Sequence, residues 1–192
     1  MPLDLFTPIA NEPWAIWLDS GQSEHIDSCF DIIVWQPEVT LCTFGVKTHI
    51  HYIQIDKTII SEEDPLMLVE SVQQQVLSTL TPSKEKLPFL GGSLGYFSYD
   101  LGRRFEKLPI EAEQDIDLPE MAVGIYSQAI IFDHKRKEYF LICSAASRPS
   151  LIAQTTKEAP LTISPAANIP LMFVSIVLRS IFIVPHLDTD NS

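Results

Sequence analysis

The sequence is short of the residues that build several common functional sites. Its 192 residues include only three cysteines, Cys29, Cys42 and Cys143, far apart and with no C-x-x-C pair. Neither a disulfide framework nor a four-cysteine zinc site can be drawn from them, and a reducing cytoplasm suits such usage. Basic residues are scarce: 13 Lys and Arg against 25 Asp and Glu leave a formal charge of -12. A surface so negative repels nucleic-acid phosphates and anionic membranes, which argues against both as partners. The opening Met1-Pro2-Leu3-Asp4 lacks the basic stretch and apolar run of a secretory signal. The one membrane-like stretch, Ile169 to Val184, is shorter than the roughly 20 residues a span needs and carries Arg179 near its middle. Glycine stops at Gly124. The cluster from Gly91 to Gly95 is followed by Tyr96, so the lysine of a phosphate-binding loop is missing, as is the G-x-G-x-x-G pattern of dinucleotide sites.

What is present is the balance of a globular protein, 46% hydrophobic and 20% charged, with enough length for one good core and so for one domain. Pro13 to Leu18 reads as a buried strand ending in the turn residues Asp19-Ser20-Gly21, with a polar loop from Gln22 to Ser28. Phe30 to Trp35 and Val39 to Phe44 read as neighbouring antiparallel strands joined through Gln36-Pro37-Glu38, and Thr48 to Ile55 extends the same sheet. Asp64 then Pro65 gives an N-cap and a first helical residue, after which Leu66, Val69, Val72, Val76 and Leu80 recur at helical steps. Gly91 to Asp100 reads as a strand leading to a turn or short helix near Leu101 to Glu106. The runs Met121 to Phe132 and Glu138 to Cys143 predict a hairpin with a basic tip at Asp133-His134-Lys135-Arg136-Lys137. Strands outnumber helices and are joined mostly by short loops, so the expected class is α+β, an antiparallel sheet with packed helices.

Candidate sites in this pattern are sparse. His49 and His51 share a strand face, but a zinc site needs a third ligand and none is near in sequence, so a solvent-facing pair is the simpler reading. Cys29 has only His25 nearby, and no nucleophile is assigned to it. Arg103 and Arg104 suit a carboxylated ligand, yet Asp100 and Glu106 stand where local ion pairs would form.

The string Pro88-Phe89-Leu90-Gly91-Gly92-Ser93-Leu94-Gly95-Tyr96-Phe97-Ser98-Tyr99-Asp100-Leu101-Gly102-Arg103-Arg104-Phe105-Glu106 resembles a signature of the aminodeoxychorismate synthase component I family, also called para-aminobenzoate synthase component I. Pro13 to Gly21, Ser28 to Val34 and Leu118 to Tyr126 support it, so the resemblance runs from about Pro13 to about Pro165. Anthranilate synthase component I shares the G-G-x-x-G-Y-x-x-Y-D core, while Leu101 to Glu106 and Met121 to Tyr126 favour the aminodeoxychorismate branch. The resemblance implies the amino-terminal half of a fold with two large antiparallel sheets and outer helices. It also implies an enzyme that makes 4-amino-4-deoxychorismate from chorismate and ammonia for folate synthesis, with Mg2+ as cofactor and a glutamine amidotransferase, component II, as partner.

The resemblance further implies a tryptophan site at Leu18, Ser20, Ser28 and Phe30. Trp17-Leu18-Asp19-Ser20 stands where anthranilate synthases carry Leu-Leu-Glu-Ser, with Trp17 in place of leucine and Asp19 in place of glutamate. A serine hydroxyl suits a ligand's polar end and Leu18 and Phe30 its apolar walls, although a core strand followed by a turn explains the same residues. The family's catalytic motifs, including G-S-x-T-G-A-P-K, lie in a carboxy-terminal half whose signatures are missing from this sequence. The expectation is therefore an amino-terminal domain over 1–165, an aberrant apolar tail over 166–192 of the kind a frameshift or truncated gene produces, and no catalytic domain. The tail is expected not to pack as a native element, with collapse onto the bare sheet as the alternative.

Overall fold

The computed structural model describes residues 2–21, 29–78, 86–107 and 117–143 in full, and the backbone of 162–165, 174–177 and 180–183. Composition pointed to one core, but the chain gathers into two compact units: Met1–Pro37, Leu77–Gly92 and Tyr126–Ile169 in one, Glu38–Val76, Ser93–Ile125 and Pro170–Ser192 in the other.

The first unit holds a five-stranded sheet of β1 (Ile16–Leu18), β2 (Phe30–Val34), β8 (Ala129–Asp133), β9 (Glu138–Cys143) and β10 (Thr162–Pro165), in that order. The pairs from β1 to β9 are antiparallel, and β10 runs parallel to β9. One face of this sheet forms a core of Ile9, Ile33, Trp35, Ile130, Leu141 and Cys143. A short helix, α1 (Pro2–Phe6), and the 3-10 turn after it supply Leu5, Phe6 and Ile9 to that core. The sequence reading had no helix there, because five residues are too few to display a helical period. Upstream of β1 the chain is pinned by Tyr126, whose buried hydroxyl donates to the Trp14 carbonyl at 2.9 Å. Burial pushes the pKa of that hydroxyl up.

The second unit holds a seven-stranded sheet. Its order is β12 (Ser180–Ile183), β11 (Val174–Val177), β6 (Gly92–Phe97), β7 (Met121–Tyr126), β3 (Val39–Phe44), β4 (Lys47–Tyr52) and β5 (Lys57–Ser61). Every residue of β7 is buried, as suits a strand covered on both faces. Gly95 lets β6 come close to β7: a Cβ there would lie 2.0 Å from the Ala122 carbonyl oxygen. Asp64 caps α2 (Pro65–Leu77), its Oδ1 accepting from the Leu66 amide at 2.8 Å. The helix buries Leu68, Val69 and Val72, so Leu68 takes the place that the expected face gave to Leu66, which is exposed. Leu80 lies outside the described residues.

Two expected pairings are corrected. β2 and β3 are not neighbours: β2 pairs with β1 and β8, and β3 with β4 and β7. Gln36 adopts φ +48 ahead of Pro37, and this kinked connection carries the chain out of one sheet and into the other. Likewise Met121 to Phe132 is two strands, β7 and β8, in different sheets, with the polar pair Ser127 and Gln128 between them. Gln128 Nε2 donates to the Trp35 carbonyl at 3.3 Å, which satisfies a buried polar side chain at the break. The expected hairpin is therefore β8–β9, and the class is α+β with predominantly antiparallel sheets. Among the described residues no helix is long and apolar enough to cross a membrane.

Candidate functional site

The pairing of β1 with β2 sets Leu18 opposite Ile32 and Trp17 opposite Ile33. Side chains alternate along a strand, so Leu18, Phe30 and Ile32 share one face while Trp17, Asp31 and Ile33 share the other. Leu18 and Phe30, two of the residues singled out by sequence, are thus brought together by register, and both are half-buried. Ser28 lies outside the described residues. Trp17 packs on Phe6 with ring centroids 5.6 Å apart, and its buried indole N–H has no hydrogen-bond partner among the described residues.

Ser20, just beyond β1, is engaged by an aspartate that the sequence reading passed over. Asp31 is only 2% exposed, and its Oδ1 accepts from the Ser20 amide at 3.0 Å and from the Ser20 hydroxyl at 2.9 Å. The same oxygen lies 2.8 Å from His134 Nε2, and His134 also donates its backbone N–H to the Cys29 carbonyl. Burial pushes the Asp31 carboxyl up, but the Ser20 amide, His134 and the Ser20 hydroxyl outweigh it and leave its pKa below the ordinary value. Asp31 is therefore a buried carboxylate stabilised by donors from two distant segments. Phe132 stacks edge-on against His134 at 4.8 Å and lies against Tyr139 at 4.6 Å, walling the pair. At the hairpin tip Asp133 Oδ1 accepts from the amides of Lys135 and Arg136, so the basic tip is ordered by a carboxylate within it.

One signal could have flagged Asp31: a charged residue in the middle of the apolar run Phe30 to Val34 must find partners if the run is buried. Nothing in the sequence named His134, which lies 103 residues further on.

The other candidates resolve as structure. Arg103 Nε pairs with Asp100 Oδ1 at 2.8 Å. Arg104 donates to the carbonyls of Gly45, Glu62 and Glu63 at 3.2, 3.0 and 3.0 Å, fastening two loops of the second unit. His51 Nδ1 is bonded to Thr58 Oγ1 at 3.0 Å, and His49 makes an edge contact with Phe44. Among the described residues no three His, Cys, Asp or Glu side chains gather as metal ligands.

Residues 14–172 match the family model described as chorismate binding enzyme. The chain belongs to the chorismate binding enzyme family. Within this family it is 51% identical over 137 residues to aminodeoxychorismate synthase component 1 of Klebsiella aerogenes, covering 71% of this chain and 30% of that protein. It is 46% identical over 138 residues to the component of that name from Escherichia coli (strain K12), with the same coverage of 71% and 30%. Anthranilate synthase component 1 of Lactococcus lactis subsp. lactis is 33% identical over 125 residues, 65% of this chain and 26% of that protein. The chain thus spans about 30% of the length of these two aminodeoxychorismate synthase components. The fold assignment rests on the two sheets themselves, since the solved anthranilate synthase component I of Streptococcus pneumoniae TIGR4 aligns with a TM-score of only 0.48 at 23% identity, over 70% of this chain and 29% of that one.

Proposed function

We propose that this chain corresponds to the amino-terminal portion of an aminodeoxychorismate synthase component 1 and works as its tryptophan-responsive, non-catalytic part. The observation that carries the branch is the 51% identity to the Klebsiella aerogenes protein against 33% to the Lactococcus lactis anthranilate synthase component. The tryptophan reading is supported by Leu18 and Phe30 sharing one face of the β1–β2 pair. In this reading the complete enzyme converts chorismate and ammonia into 4-amino-4-deoxychorismate in the cytoplasm, with ammonia delivered by a glutamine amidotransferase component II.

Magnesium belongs to that complete enzyme. Among the described residues no three His, Cys, Asp or Glu side chains gather that could hold it. No step is therefore assigned to this chain's own side chains. The test is to incubate the purified chain with chorismate, ammonia and magnesium. No product is expected, and product that appears above a no-protein control and vanishes on chelation would overturn the reading. Tryptophan is expected to bind weakly, since Leu18 and Phe30 supply one wall of a site that must enclose the ligand to bind it tightly.

A further inference from the structure

The seven-stranded sheet ends at β5, and among the described residues that strand ladders to β4 alone. Its outer side is a row of backbone N–H and C=O groups with no strand against it. Folded proteins commonly guard such an edge with a proline, a bulge or a charge in mid-strand. β5 has none of these. Its pairing with β4 runs unbroken from Lys57 opposite Tyr52 to Ser61 opposite Thr48, and its one charge, Lys57, stands at the first position. Ile59 and Ile60 in the middle are 41% and 56% exposed, and because they are consecutive they put apolar surface on both faces of the edge. Exposed Ile53 and Ile55 precede the strand, and exposed Leu66 and Met67 lie in the first turn of the helix that follows it.

We propose that β5 is a self-pairing edge: two copies of this chain join β5 to β5 in antiparallel sense, centred on Ile60, to form one continuous sheet across a twofold axis. The charges at the two ends of the strand select both the occupant and the register. A twofold axis normal to the sheet keeps each face on its own side, so residues that meet across the join are identical or an even number of positions apart. With Ile59 against its own copy, Asp56 falls opposite Glu62 and like charges meet twice. With Ser61 there, Glu62 falls opposite Ile60. With Ile60 there, Ile59 meets Ser61 and Lys57 of each copy meets Glu63 of the other, just past its strand, so opposite charges pair twice. The antiparallel sense also carries Ile53 and Ile55 of each copy toward Leu66 and Met67 of the other. A five-residue join is small, which sets the dimer at the weak end of specific association, with a Kd of about 10–100 µM. The inference is independent of the proposed function.

Sedimentation velocity on the full chain tests it, from about 2 to 200 µM and at about 150 mM salt, which screens the repulsion between two copies of formal charge -12. Monomer is expected to give way to dimer and to nothing larger. Ile60→Lys sets two ammonium groups together at the axis and is expected to weaken the dimer at least about tenfold. Lys57→Glu turns two attractive pairs repulsive and is expected to weaken it about tenfold. Combining Lys57→Glu with Glu63→Lys exchanges the partners and is expected to restore the wild-type constant to within about threefold. All three side chains are exposed, so the variants should keep the wild-type melting curve, and if Ile60→Lys fails to fold, the charge reversal and its rescue still decide. A chain that stays monomeric across the range, a dimer indifferent to Ile60→Lys, or a Lys57→Glu defect that the double variant leaves unrepaired would overturn the inference. So would open-ended association that the variants do not change, which would put the contact elsewhere, such as at β12 on the opposite edge of the sheet.

Discussion

Replacing Gly95 with alanine should be among the most damaging single changes that add only one carbon. A Cβ at that position would lie 2.0 Å from the Ala122 carbonyl oxygen, 2.7 Å from Val123 Cα and 2.9 Å from the Ala122 carbonyl carbon, all of them backbone atoms of β7. Ordinary carbon–oxygen contacts begin near 3.3 Å, so the strands must separate by more than about 1 Å. Ladder hydrogen bonds of about 2.9 Å would then stretch toward 4 Å and cease to count as bonds. Nor can β7 simply withdraw, because all six of its residues are buried and its far edge is laddered to β3. Overpacking of about 1–3 kcal/mol plus one or two lost ladder bonds at about 1 kcal/mol each gives roughly 2–5 kcal/mol of destabilisation. The better intrinsic propensity of alanine offsets only about 0.5–1 kcal/mol of this. Gly45→Ala is the control: nothing lies within 4 Å of its Cβ position, and the cost there is the φ of +55°, about 1–2 kcal/mol. Urea unfolding should be followed by far-UV circular dichroism, which reports both sheets, because Trp14, Trp17 and Trp35 all belong to the first unit and Gly95 to the second. A Gly95→Ala midpoint within about 1 kcal/mol of wild type, or one no lower than that of Gly45→Ala, would refute the close-approach argument.

Three further outcomes are expected. The folded pKa of Asp31 is depressed, so its contribution is fully present above the unfolded value and is lost as pH falls through the folded one. The stability gap between wild type and Asp31→Asn should remain open down to about pH 4.5 and close only below about pH 4, and a gap already closing near pH 6 would contradict the assignment. Arg104→Lys should cost about 1–3 kcal/mol in thermal or urea unfolding despite keeping the charge, because an ammonium cannot reach three carbonyls spread over Gly45, Glu62 and Glu63; no change would mean that these bonds are idle. Deleting everything after Pro165 should raise solubility, because the removed run from Ile169 to Leu178 is almost wholly apolar; lower solubility with earlier unfolding would show instead that the pairing of Val174 and Ser175 with Leu94 and Gly95 protects the edge of β6.

The sequence by itself determined the features that are written locally. The Asp64-Pro65 start of α2 is one, because a cap and the residues it serves are adjacent in the chain. The β8–β9 hairpin is another, since its two strands and the Asp133 turn are contiguous. The α+β class and the family membership were legible for the same reason, the latter through the unbroken string from Pro88 to Glu106. The alternation that places Leu18 and Phe30 on one face also follows once a strand period of two is granted. Only the tertiary structure decided which sheet each strand joins. Alternating apolar residues say that a strand is buried but not beside which partner, so β2 and β3 looked like neighbours and β7 with β8 like one strand. The same limit hid the chemistry of the candidate site. Ser20, Asp31 and His134 meet at a single carboxylate oxygen from positions 11 and 103 residues apart along the chain, and no local pattern encodes a contact at that separation. What fixes it is the stacking of β1, β2 and β8 in one sheet, which carries the end of each strand to the same edge and leaves a buried charge that must be satisfied there.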